Sequence, residues 1–309
     1  MQKSNLRYFF AGILSFAIWG FFSIPLRNLK AYPSEEILYY RIFTSLVFIW
    51  LAIFIFRKKQ LKADLDYLRS IEVRGKRIIL LQLVASTLLL TGNWYTYIYA
   101  VNNVSLQSAA FAYMVCPLIT AFGGFIILKE ALSRLKLVSL GIALLSILLL
   151  ATGSLIEVLW SVVIASLYAF YLIIQRKMQN LDKLNVLAVQ IALAVLLMLP
   201  FYLGKHAGIP NDPWFWGNII VIAVFFTIIP LFMSLYSLIG IPSSTLGIII
   251  YINPIIAFTV AIFYFGEQVD VHRLFAYSLL LVSVIVFNWG ILKDILTFKG
   301  NKNIPLKNS

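Results

Sequence analysis

SSTLGIIIYINPIIAFTVAIFYFGE, residues 243–267, is apolar from end to end, is interrupted at mid-span by Pro254 and closes on Glu267. Tyr251 and Asn253, just ahead of the proline, are groups that hydrogen-bond from inside an apolar helix. The stretch LQSAAFAYMVCPLITAFGGFIILKE at 106–130 has the same layout, with Pro117 and Glu130 each 137 positions before Pro254 and Glu267. A proline-interrupted hydrophobic segment at matching places in two halves is the sequence pointer to a transporter's central site. Further matches share the offset: Ser146 with Ser283, Leu144 with Leu281, and Lys136 opposite Arg273. The early helices of each half align at an offset of 149, which brings Trp19 onto Tyr168 and Arg27 onto Arg176.

Composition sets the environment. Of 309 residues, 61% are hydrophobic and only 12% charged, and the mean hydropathy is +0.93. Soluble domains run at roughly 45–50% apolar and about 25% charged, so the class is all-α integral membrane. The net charge of +13 does not point to nucleic acid, because the basic residues crowd into short loops rather than onto one folded face.

With about 20 apolar residues needed to cross a bilayer, ten segments are expected: 8–27, 34–56, 78–100, 105–128, 135–152, 156–175, 183–203, 215–238, 243–265 and 273–293. The first is read as a retained helix, since no small-residue cleavage pattern follows it. With the N-terminus placed inside, twenty Lys and Arg fall on the inner side and four on the outer, so both termini are expected to be cytoplasmic. The 57–77 stretch reads as a charged loop that fixes topology and lies near anionic lipid. Five helices per half make the second half enter upside down, giving inverted repeats at 1–152 and 153–293 and a basic cytoplasmic tail at 294–309.

Pro117 and Pro254 lie roughly 15 Å into their segments, near mid-membrane. Each removes a backbone donor and frees carbonyls that need a partner; either the kink serves packing or the freed groups line a cavity. Arg41 is expected about 10 Å inside the second helix, where an arginine is costly unless paired or hydrated. Glu36 is about 140° around the same helix, so the partner comes from another helix or from substrate. Asn93, about 12 Å into the third helix, is placed with Arg41 in one interior cluster, the alternative being an Arg41 that snorkels to the headgroups. Glu130 and Glu267 close the two proline helices, either as loop ion pairs with Arg134, Lys136, His272 and Arg273 or as proton-coupling groups. Trp19, Tyr113 and Tyr251 are wall residues or packing. Two distant histidines and the single Cys116 build no metal site, and no phosphate loop is present, so an enzyme is not expected, nor a metal or other cofactor.

The stretches PSEEILYYRIFTS at 33–45, GNWYTYIYAVNN at 92–103 and STLGIIIYINP with GE at 244–254 and 266–267 resemble the RarD-like branch of the EamA group, within the drug/metabolite transporter superfamily. The resemblance runs nearly the whole length. It implies an inner-membrane carrier of ten helices in two inverted five-helix repeats, of the kind that exports amino acids or other metabolites. The branch's first-half motif resembles YFINP, whereas here YMVCP puts Cys116 where asparagine is expected, so weight shifts to Asn253. The expectation is a secondary transporter working by alternating access. Arg41, Asn93, Tyr113, Tyr251, Asn253 and Trp19 would bind substrate, and Pro117 and Pro254 would supply the bends. Its partners are a small molecule and membrane lipid, and the chain works as monomer or homodimer. The alternative is a non-transporting membrane protein that binds lipid or scaffolds a complex.

Overall fold

The computed structural model describes residues 3–103, 106–150, 155–205, 208–266, 271–290 and 293. Among them the chain is all helix, with no strand. In order the elements are α1 (Lys3–Gly20), α2 (Ser23–Arg27), α3 (Ser34–Phe56), α4 (Lys58–Ser70), α5 (Val73–Asn103), α6 (Leu106–Leu128) and α7 (Arg134–Leu150). They continue with α8 (Leu155–Lys177), α9 (Lys183–Lys205), α10 (Pro213–Ala223), a π turn at Val224–Ile228, α11 (Ile229–Gly240), α12 (Ser243–Ile249), α13 (Ile252–Phe263) and α14 (Val271–Phe287). Each of the ten expected segments falls on one or two of these helices. Among the described residues six stretches are long and apolar enough to cross a membrane, while Ala112–Leu128, Ser243–Ala257 and Leu274–Phe287 are shorter apolar helices.

The outward faces are apolar too: Ile126 is 70% exposed, Leu148 62% and Phe201 65%. Water would not tolerate that band, and lipid is the solvent that matches it. Within the bundle, small residues let helices close up. A Cβ on Gly20 of α1 would meet Ile256 of α13 at 2.5 Å, and one on Gly247 of α12 would meet Thr120 of α6 at 2.9 Å. Polar ties then fix the register. Ser139 of α7 and Ser283 of α14 exchange hydroxyl-to-carbonyl bonds of 2.8 and 2.9 Å, and Ser146 donates to the Ala276 carbonyl at 2.7 Å. An early residue of one helix meets a late residue of the other in both contacts, so α7 and α14 run antiparallel. Under the 137 offset these contacts change places, because Ser139 maps to Ala276 and Ser146 to Ser283.

Two local features differ from the sequence expectation. The 57–77 stretch is not a loop: α4 occupies Lys58–Ser70. Its Leu61, Asp64 and Leu68 side face the turn before α9, where Asp64 accepts from the Asp182 N–H at 3.1 Å and the Asn185 amide at 2.7 Å. Arg57, just ahead of it, pairs with Asp182. The prolines also behave differently from each other. α6 passes through Pro117 without interruption, whereas the second segment breaks at Ile250–Tyr251. Pro254 is thereby the third residue of α13, a position whose N–H has no helical partner to lose. Pro117 stands mid-helix and has no such refuge.

Candidate substrate site and gate

Arg41 leaves α3 toward the bundle interior. Its guanidinium carbon lies 5.3 Å from the centre of the Trp94 ring, and its Nε is fully enclosed without a hydrogen-bond partner. The ionisable groups that act on it are the hydroxyls of Tyr113 and Tyr97, and no carboxylate is among them. The rings of Tyr97 and Tyr113 meet at a 60° tilt with their centres 5.7 Å apart. Tyr113 is in turn within electrostatic reach of Cys116, which reaches Tyr168 and Tyr251. The enclosed hydroxyls of Tyr168 and Tyr251 are unbonded, that of Tyr168 facing Ser234 without closing a bond of good geometry. A buried polar atom without a partner costs about 1–3 kcal/mol, so the orphaned Arg41 Nε and the Tyr168 and Tyr251 hydroxyls mark where a polar ligand gains most.

Two of the expected substrate residues are engaged elsewhere. The Asn93 amide donates to the Ile164 carbonyl of α8 at 2.9 Å, which ties α5 to α8 rather than joining the Arg41 guanidinium. The reason is depth: Asn93 is only 2% exposed and lies against the α8 backbone. Trp19 donates its indole N–H to the Phe226 carbonyl at 2.8 Å. That carbonyl lies four residues before Pro230, so the proline has removed its helical donor and the indole of α1 replaces it. Ser15 adds a bond of 2.7 Å to the Pro230 carbonyl. The Trp19 ring still borders the site, 6.3 Å from Tyr168. Asn253 is half-buried, and its side-chain amide makes no hydrogen bond among the described residues.

Glu130 makes its hydrogen bonds to the start of α12, while Lys136 and Arg176 stay within its electrostatic reach. Its carboxylate accepts from the Ser243 N–H at 2.7 Å, the Ser243 hydroxyl at 2.9 Å and the Ser244 N–H at 2.9 Å. These N–H groups open α12, where helical donors are orphaned and a negative charge is favoured. Local backbone aims the carboxylate there. Lys129 takes a left-handed φ of 55°, and the Glu130 N–H closes back on the Gly124 carbonyl at 3.2 Å. Glycine is required at 124, since a Cβ would lie 2.8 Å from the carboxylate and 2.7 Å from the Ser243 hydroxyl. Gly266, 137 positions after Lys129, has the same left-handed φ at 67°. Glu267 lies outside the described residues.

The turn between α11 and α12 is held from both sides. Arg176 and Gln179 of the α8 end donate to the Leu238 carbonyl, and Arg176 also reaches that of Ile239 at 3.3 Å. A cation therefore caps the end of α11 while an anion caps the start of α12, each matched to its helix dipole. Leu128, Glu130, Arg176, Gln179, Ile239 and Pro242 line a cleft of about 510 Å³ here, so water reaches the Glu130 tie. Deeper along α8, Gln175 is fully buried with both amide atoms unbonded. Sequence reasoning missed the Ser243 and Ser244 partners, although Pro-Ser-Ser before an apolar run is a helix-start signal. It also missed Tyr97, which shares the Asn93 face of α5 four residues on.

Known proteins supply the comparison. The EamA-like transporter family matches the chain twice, at residues 6–152 and 155–289. An uncharacterized transporter of Pseudomonas aeruginosa is 30% identical over 94% of this chain and 96% of its own length. Another uncharacterized transporter, of Bacillus subtilis, is 28% identical over 91% and 93%, and protein RarD of Streptomyces exfoliatus is 28% identical over 94% and 90%. A solved crystal structure superposes with a TM-score of 0.74 at 12% identity, covering 91% of this chain and 98% of that one.

Proposed function

The chain belongs to the EamA-like transporter family, and from that premise we propose that it is a secondary carrier of small polar metabolites, amino-acid-like compounds or drugs, working as an exporter by alternating access. Ten helices cross the inner membrane as two inverted halves, 1–152 and 153–293, with both termini in the cytoplasm. The exchange of the α7–α14 contacts under the 137 offset, and the shared left-handed φ at 129 and 266, support that symmetry.

The observation that carries the reading is the Glu130 tie. One carboxylate from the first half holds the first turn of α12 in the second half, at the Lys- and Arg-rich end of the bundle. With that end shut, substrate reaches Arg41, Tyr113, Tyr251 and Asn253 from the other side. Release of the tie lets α12 swing from α6 about the break at Ile250–Tyr251 and exposes the site to the cytoplasm. Glu267, at the matching position of the second half, would serve the opposite end. Glu130 and Glu267 thus act as gates.

Inside-out membrane vesicles containing the protein, offered a panel of amino acids, organic anions and drugs, test this. The expected result is saturable uptake of at least one solute that control vesicles do not accumulate. No uptake or exchange across the panel, with binding of lipid alone, would overturn it.

A further inference from the structure

The charge balance around Arg41 narrows the cargo. Among the described residues its guanidinium has no ion pair and no hydrogen bond, although arginines at such depth pair with an anion or with water. The groups acting on it are neutral hydroxyls. Glu36, an acidic residue on the same helix, is buried five positions nearer the outer end, with an interaction of its own. A zwitterion would bring a carboxylate for Arg41 but would leave its ammonium beside a like charge, with no carboxylate among the groups acting on Arg41 to pair it. A dianion would leave one charge uncompensated in surroundings of low dielectric. The walls are rings: Trp94 under the guanidinium, then Tyr97, Tyr113, Tyr168 and Trp19. Flat apolar bodies stack on such surfaces.

We propose that this site takes an organic monoanion with a flat apolar or aromatic body, and discriminates against zwitterions and cations of the same shape. The proposal rests on the carrier reading for its location. Arg41 forms a charge-assisted pair with the anion's oxygens, and the tyrosine hydroxyls, donors without carboxylate partners, complete the oxygen cage.

A matched set of indoles separates charge from shape: indole-3-acetate, indole-3-acetamide, tryptophan and tryptamine, each tested by thermal shift of the purified protein in detergent. The acetate should half-saturate at a concentration at least about tenfold below the acetamide, since charge-assisted bonds are roughly twice as strong as neutral ones. Tryptophan and tryptamine should give no shift in that range. In Arg41→Gln the acetate and acetamide should become equivalent, and Arg41→Lys should keep the preference at lower affinity. Should Arg41→Gln not fold, the wild-type charge series and Arg41→Lys decide alone. Equal or better stabilisation by the amide, zwitterion or cation, or no response to any of the four, would overturn the proposal. Counterflow separates the two readings. If the acetate binds selectively but never exchanges across proteoliposomes, the carrier reading fails and the charge inference stands. If tryptophan or tryptamine exchanges best, the charge inference fails and the carrier stands.

Discussion

Replacing Glu130 with alanine removes three acceptor contacts at the start of α12, all within 2.7–2.9 Å. Hydrogen bonds to a charged group contribute about 1.5–3 kcal/mol each in buried settings, and losing an N-cap costs about 0.5–2 kcal/mol. Water in the adjacent cleft recovers part of this, so about 2–4 kcal/mol is a fair net loss for the closed arrangement. At 1.4 kcal/mol per tenfold, the population with the basic end open rises by about 30- to 700-fold. The readout is alkylation of Gln175→Cys, placed in a Cys116→Ala background so that it is the one thiol. Position 175 is fully buried next to Arg176, which lines the cleft, so an impermeant maleimide added to inside-out vesicles should reach it only when that end opens. Labelling should accelerate at least tenfold on adding Glu130→Ala, with Glu130→Asp intermediate because its carboxylate falls one methylene short. A rate within twofold of the parent would refute the argument that this carboxylate holds the end shut.

Three further outcomes follow from the packing and charges. Gly247→Ala places a Cβ 2.9 Å from Thr120 and should cost about 1–3 kcal/mol, read as a lower unfolding temperature in detergent. Asn93→Ala loses the bond to Ile164 and should lower that temperature by about 2–4 °C while leaving the anion preference of the Arg41 site unchanged; altered charge selectivity would return Asn93 to the site. Asp212 accepts from Tyr32 at 2.8 Å and caps α10, and the Tyr32 bond, followed by the Trp214 N–H, holds its carboxyl below the ordinary 3.8. A depressed carboxyl stabilises the fold above the ordinary value and loses that contribution as pH falls through the depressed one. Acidification from pH 5 to pH 3 should therefore lower the unfolding temperature more in wild type than in Asp212→Asn, and equal slopes would contradict the assignment.

The repeat was legible because its markers are covalent choices that geometry forces. Proline at 117 and 254 and glutamate at 130 and 267 keep one spacing, and the bend before each glutamate needs a left-handed residue at 129 or 266. Arg41 stands out for a related reason, since a charge inside an apolar run has few uses and its Nε is enclosed without a partner among the described residues. What the sequence hid lay between elements far apart in the chain. Nothing near Glu130 announces Ser243: Pro-Ser-Ser marks a helix start, but its orphan N–H groups do not say which distant carboxylate reaches them. The hydrogen bonds of Trp19 and Asn93 to the carbonyls of Phe226 and Ile164 were hidden as well, since each joins residues far apart in the chain. The α4 helix was missed because its charges masked Leu61, Leu65 and Leu68, whose spacing is helical.

Alternating access itself can be tested by locking one end. Glu130→Cys and Ser243→Cys in a Cys116→Ala background place two thiols where carboxylate and serine now meet, and proteoliposome counterflow is measured after oxidation and again after reduction. The account predicts that exchange stops while the disulfide is closed and returns with reductant. Exchange that continues at the same rate across a closed disulfide would contradict it.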